Sequence, residues 1–213
     1  LSDIGTVDRV NIDFKFLNEI KENLNKEFSL SLLADDFKQK IKNKQSFIET
    51  GMTLLSETKN NTCPFCEQEL RENALNLIDS YTKYINDTES KTIKQFKANS
   101  EFLSNLIASL KVIENNNAKR INSFNEYKTK YIPSSEEVEL GSLNVEAAQK
   151  AIQAYIDKIE EKLKDISKPI AIENSIIENI EKHQPLLNKT IDSNNEQINQ
   201  INAKKNRIDE ENK

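Results

Sequence analysis

From Glu67 onward the apolar side chains fall on one long seam. Leu70, Ala74, Leu77, Tyr81 and Tyr84 lead through Thr88 and Thr92 to Phe96, Asn99, Leu103, Leu106, Leu110, Ile113, Asn117, Ile121, Phe124, Tyr127 and Tyr131. Steps of three and four alternate, the period at which helices pack along one another. Successive four-residue steps through Thr92 interrupt that alternation like a stutter, which unwinds a supercoil locally. Ile132-Pro133-Ser134-Ser135 ends the helix, and a connection containing Gly141 follows.

The seam resumes at Val145, Ala148, Ile152, Tyr155, Ile159, Leu163 and Ile166. Pro169 interrupts it, because proline lacks a backbone donor and disfavours helix before it. It continues through Ile172, Ile176, Ile180 and His183, meets Pro185, and ends on Leu187, Ile191, Asn194, Ile198, Ile201, Lys205 and Ile208. Both prolines predict kinks or short breaks. Upstream, Val7, Val10 and Ile12 alternate with polar residues in a short extended piece or loop. One helix is expected from Asp13 to Asn25 and another from Ser31 to Ser56, before a polar linker at 57–62.

The expected fold is all-α: a long antiparallel coiled-coil hairpin with a shorter N-terminal helical segment. The divisions are 1–62 for short helices and linker, 63–66 for a C-x-x-C turn, 67–131 for arm 1, 132–145 for the apex loop and 146–213 for arm 2. Each arm of ~65 residues would span roughly 100 Å at ~1.5 Å per residue. Pairing the arms puts partners at positions that sum to about 277. A bundle with the arms broken and folded back is the alternative.

Composition supports helices and narrows the chemistry. Three glycines, four prolines and no tryptophan in 213 residues leave few helix breakers. The net charge is −5 and the basic residues are scattered, so no direct nucleic-acid contact is expected. No apolar run approaches the ~18 residues of a membrane span. The abundant Asn, Lys, Ile and Glu read as compositional bias without chemistry. Leu1 stands where a complete chain would begin with Met, so a segment of a longer protein is expected.

The pointed chemistry is Cys63-Pro64-Phe65-Cys66. Two thiols two residues apart on a tight turn suit half of a tetrahedral thiolate zinc site. No other cysteine exists, so zinc would be shared between two chains, with Cys63 and Cys66 as metal ligands. His183, the only histidine, is expected to be a packed or hydrogen-bonded seam residue and not a ligand. Two alternatives stay open: a reversible dithiol–disulfide pair, and a structural corner anchored by Phe65. A C-x-x-C without secretory marks suits a cytoplasmic location.

The run Thr62 to Leu70, entering a long seam, resembles the zinc hook of SMC-like double-strand-break repair ATPases. Glu67 departs from that motif, which usually has glycine there. The run Phe47-Ile48-Glu49-Thr50-Gly51-Met52 ahead of the cysteine turn is more similar to the bacterial ATPase family that includes the PrrC- and RloC-type anticodon nucleases. Asn194-Asn195-Glu196-Gln197-Ile198 also resembles that family. The resemblance implies a coiled-coil insertion that splits an ABC-type ATPase, in proteins associated with phage defence and RNA restriction. It implies as partners a second copy of the chain, the parent's ATPase heads or other proteins. No G-x-x-x-x-G-K-[ST] phosphate loop is present, so ATP is expected only in parts of the parent outside this segment, and no catalytic residue is expected here.

Overall fold

The seam forms helices because its apolar positions share one face, most of which becomes buried from Tyr84 onward. The computed structural model describes residues 2–42, 44–57, 62–131 and 138–211. Among the described residues, seven helices succeed one another: α1 Phe14–Leu24, α2 Asp35–Lys42, α3 Gln45–Glu57, α4 Glu72–Asn86, α5 Thr88–Tyr131, α6 Glu146–Lys164 and α7 Asn174–Glu211. The all-α expectation holds. The chain divides into two compact units. One comprises Leu1–Leu24, Asn99–Glu160 and Ile170–Lys213, the other Asn25–Ala98 and Glu161–Pro169.

In the first unit, Leu103, Leu110, Asn117, Phe124 and Tyr131 recur every seven residues along α5 and are all buried. The middle of α5 and the start of α6 pair antiparallel: the Val145 amide donates to Glu114 (3.3 Å) and Gln149 Nε2 to the Ile107 carbonyl (3.2 Å). The register differs from the hairpin expectation, which placed Asn117 opposite residue ~160. Asn117 instead meets Gly141 and Asn194. Farther along, Phe124, Tyr127 and Tyr131 pack with Ile198 and Ile201, so α7 runs in the same direction as α5. The second arm has turned back on itself between α6 and α7, around Pro169, as proline there allows. α5 thereby buries its seam against two helices instead of one, which removes more apolar surface from water.

The extended piece expected near Val7 lies along α7 in the opposite direction. Its backbone is held by side-chain amides. Asn202 accepts from the Ile4 amide and donates to the Ile4 carbonyl, both at 2.9 Å. Asn195 does the same for Val7, both at 2.8 Å. Asn188 holds Val10 at 2.8 and 2.9 Å, and Gln184 accepts from the Ile12 amide at 2.8 Å. Ile4, Val7, Val10 and Ile12 are themselves buried. Asp13 then caps α1, accepting from the Phe16 amide at 3.0 Å. The reading of the asparagines as mere bias is corrected here: a strand with no neighbouring strand must find other partners for its N–H and C=O groups, and these amides supply them.

Helix ends follow local chemistry. The stutter before Thr92 is a break: Asp87 is extended (φ −69°, ψ 148°) and its carboxylate accepts from the Glu89 amide at 2.8 Å, starting α5 afresh. The single helix expected over Ser31–Ser56 is two, α2 and α3, because the Lys44 amide closes a turn onto Ile41 (2.7 Å). Pro185 neither breaks nor ends α7. In the second unit, buried Lys162 donates to the carbonyls of Lys26 and Lys168 and lies 5.3 Å from the centre of the Phe28 ring. Residues 58–61 of the expected linker, and 132–137 of the expected apex loop with Pro133, lie outside the described residues.

Two glycines give opposite expectations. A Cβ on Gly141 would sit 2.8 Å from Thr190 Cγ2, whereas one on Gly51, inside α3, would meet nothing within 4 Å. Gly141→Ala is expected to lower stability in urea unfolding by about 1–3 kcal/mol. Gly51→Ala is expected to raise it by about 0.5–1 kcal/mol, since alanine is the better helix former.

Candidate functional site

The cysteine turn belongs to the second unit and is built by backbone bonds. The Cys63 amide donates to the Gln68 carbonyl (2.8 Å) and the Glu67 amide to the Cys63 carbonyl (2.9 Å). Thr62 and Glu69 pair as an isolated antiparallel bridge that closes the loop. Pro64 suits the first corner, since its ring fixes φ where a turn needs it. The chain can reverse because Glu67 takes φ 57°, the only positive φ at a non-glycine position among the described residues. The departure seen in the sequence, glutamate where the hook motif has glycine, therefore does not alter the backbone. Glutamate adopts the left-handed conformation that glycine would supply, at a cost of about 1–2 kcal/mol.

This geometry acts on the sulfurs. Backbone N–H groups of Phe65 and then Cys66 donate to the Cys63 sulfur, followed by the Cys66 side chain, and together they hold the Cys63 thiol below its usual range. Both cysteines are free thiols; Cys63 is half-buried and Cys66 exposed. They line one open cavity with Gln68, Glu69, Arg71 and Asn73. A thiolate-favouring turn with two sulfurs on one cavity fits half of a zinc site. Among the described residues no cluster of three or more His, Cys, Asp or Glu side chains converges on a metal position. His183 is half-buried, its Nδ1 2.6 Å from the Asn179 carbonyl one helical turn back, and it is a hydrogen-bonded helix residue.

Beside the turn lies an apolar groove lined by Phe47, Met52, Leu55, Cys63, Phe65 and Ile78 among others. The Phe47 and Phe65 rings stack at 6.0 Å with an interplanar angle of 19°. Sequence reasoning singled out Phe65 as an anchor and named Phe47 only in the run that carries the family resemblance. The signal was the short spacing from α3 to the turn, which lets one element fold onto the other.

The strained Glu67 gives a direct test. Glu67→Gly relieves the left-handed cost, and amide exchange at Cys63 and Glu67 should slow by roughly fivefold, equivalent to about 1 kcal/mol. Glu67→Val, β-branched at a positive φ, should speed it. Equal exchange rates in all three proteins would contradict the assignment.

No helix among the described residues is long and apolar enough to cross a membrane. No curated protein and no solved structure matches the chain. A family model described as an AAA domain matches residues 3–212, nearly the whole length. The chain therefore belongs to the AAA domain family, and is related through it to the AAA-type ATPases.

Proposed function

We propose that this chain is the coiled-coil arm inserted within an SMC-like ATPase, and that Cys63 and Cys66 supply half of a zinc site shared by two copies. The observation that carries the first part is the meeting of the two root segments. Ile4 is clamped by Asn202, Asp3 pairs with Lys205 at 2.6 Å, and the Tyr127 hydroxyl donates to the Ser2 carbonyl. The segments around Asp3 and Lys205 thus lie side by side. An insertion that divides a folded host needs this, because the host's halves must remain adjacent. The Lys205 side chain is buried while Asp3 stays more than half exposed, so this pair acts together with the Asn202 clamp on Ile4 and not alone.

The second part follows from the donor set. Two thiolates on one turn leave two tetrahedral positions, and an identical turn from another copy fills them. The AAA-domain match supports an ATPase parent. The resemblance to the PrrC- and RloC-type family points to phage defence or RNA restriction in the cytoplasm, with ATP handled by the heads and neither membrane nor nucleic acid contacted by this arm. A second reading, a dithiol–disulfide switch, is favoured by the lowered Cys63 thiol. Thiol titration against a glutathione couple tests it, and failure to form the internal disulfide removes it.

Metal analysis with mass-resolved sizing tests the shared site. About half a zinc per chain is expected in a dimer, falling to near zero in Cys63→Ser. A full equivalent in a monomer, or no zinc at all, would contradict it.

A further inference from the structure

An exposed apolar surface of the second unit lies beside the cysteine turn. α3 carries Phe47, Ile48, Met52, Leu54 and Leu55 within thirteen residues, yet none of its side chains is buried. Phe47 and Phe65 are 66% and 67% exposed although stacked on each other, and Leu54 is 37% exposed. Isolated exposed hydrophobics are ordinary, but Phe47 and Leu54, seven residues apart on one side of α3, leave that side uncovered, while Ile48, Met52 and Leu55 are half-buried. The face is nearly free of charge. Of its two acidic residues, Glu49 is already paired with Lys94 at 2.7 Å and with Gln45 at 3.1 Å.

We propose that a second copy of this chain covers this face, packing the Phe47–Phe65 aromatic pair and α3 about a twofold axis beside the cysteine turn. The inference rests on reading Cys63 and Cys66 as half of a shared site. The apolar groove and the thiol cavity are continuous, since Cys63 and Leu70 line both. If two turns meet through their thiolates, the surfaces bordering them are brought against each other, because a twofold interface sets the same patch on both sides. On the α3 side of the turn the border is apolar, which suits such self-contact, since like charges there would repel and an exposed aromatic pair is a typical interface anchor; Glu69 and Arg71 lie on the thiol-cavity side. The zinc site would then fix register while the aromatic face supplies the affinity.

Sedimentation of the full chain with zinc, with chelator, and as the Phe47→Glu, Leu54→Glu and Cys63→Ser/Cys66→Ser variants tests this. Helicity by circular dichroism checks that each variant folds; Leu54 lies on the same face and serves if Phe47→Glu does not. With zinc present, the expected result is a dimer whose dissociation constant rises at least about tenfold in the α3 variants. An unchanged zinc-dependent dimer in both α3 variants overturns this inference and leaves the zinc bridge standing. A dimer that survives chelator and the double serine change, but not Phe47→Glu, supports the apolar face and removes the bridge. A monomer throughout overturns both.

Discussion

Seven residues of α-helix rise about 10.5 Å, and three residues of extended chain cover about 10 Å. On this near-match rests the ordered N-terminal strand. Asn188, Asn195 and Asn202 stand one heptad apart on α7, and Val10, Val7 and Ile4 stand three apart on the strand. Each amide therefore reaches a backbone N–H and C=O that face it, and the side chains of the clamped Ile4, Val7 and Val10 are buried. The arrangement replaces a sheet partner with a helix. Without the asparagines, buried strand backbone would lack partners at about 1–3 kcal/mol per group, and the strand would not stay on α7.

The same device closes the centre of the first unit. Asn194 accepts from the Gly141 amide and donates to its carbonyl, both at 2.7 Å, and Asn117 donates to that carbonyl at 2.9 Å. Asn194 also donates to Asn117 at 2.8 Å. These two amides are nearly inaccessible to water, so they hold one register and penalise others. A helix that recognises an extended chain on two sides, by Asn194 on one and by Asn188, Asn195 and Asn202 on the other, ties the connection between α5 and α6 and the entering strand to a single rigid element. The root pairing of Asp3 with Lys205 completes it.

Much of the helical framework is legible in the pattern of apolar positions. The seam from Leu187 to Lys205 is buried as its spacing requires, and so are most α5 positions from Phe96 to Tyr131. The turn at Cys63–Cys66 is legible too. What the seam does not carry is how many helices share it. An apolar stripe fits one partner or two, and only the break at Pro169 hints that α7 returns alongside α5. The amide clamps were hidden for another reason. Asparagine is common in this chain, and a seven-residue spacing of polar residues has meaning only when set against a three-residue spacing nearly two hundred positions away. The Phe47–Phe65 stack had one sign in the sequence, the short spacing between α3 and the cysteine turn, but that spacing does not say which α3 side chain meets Phe65.

Amide hydrogen exchange along the strand tests the central claim most directly. In Asn195→Ala the Val7 N–H loses its acceptor while Ile4 and Val10 keep theirs. The account predicts that exchange at Val7 speeds by at least about fivefold, with a smaller rise at Ile4 and Val10 and none at α5 positions such as Leu110. Unchanged exchange at Val7 would contradict it, and would mean that the strand is held by its side chains alone.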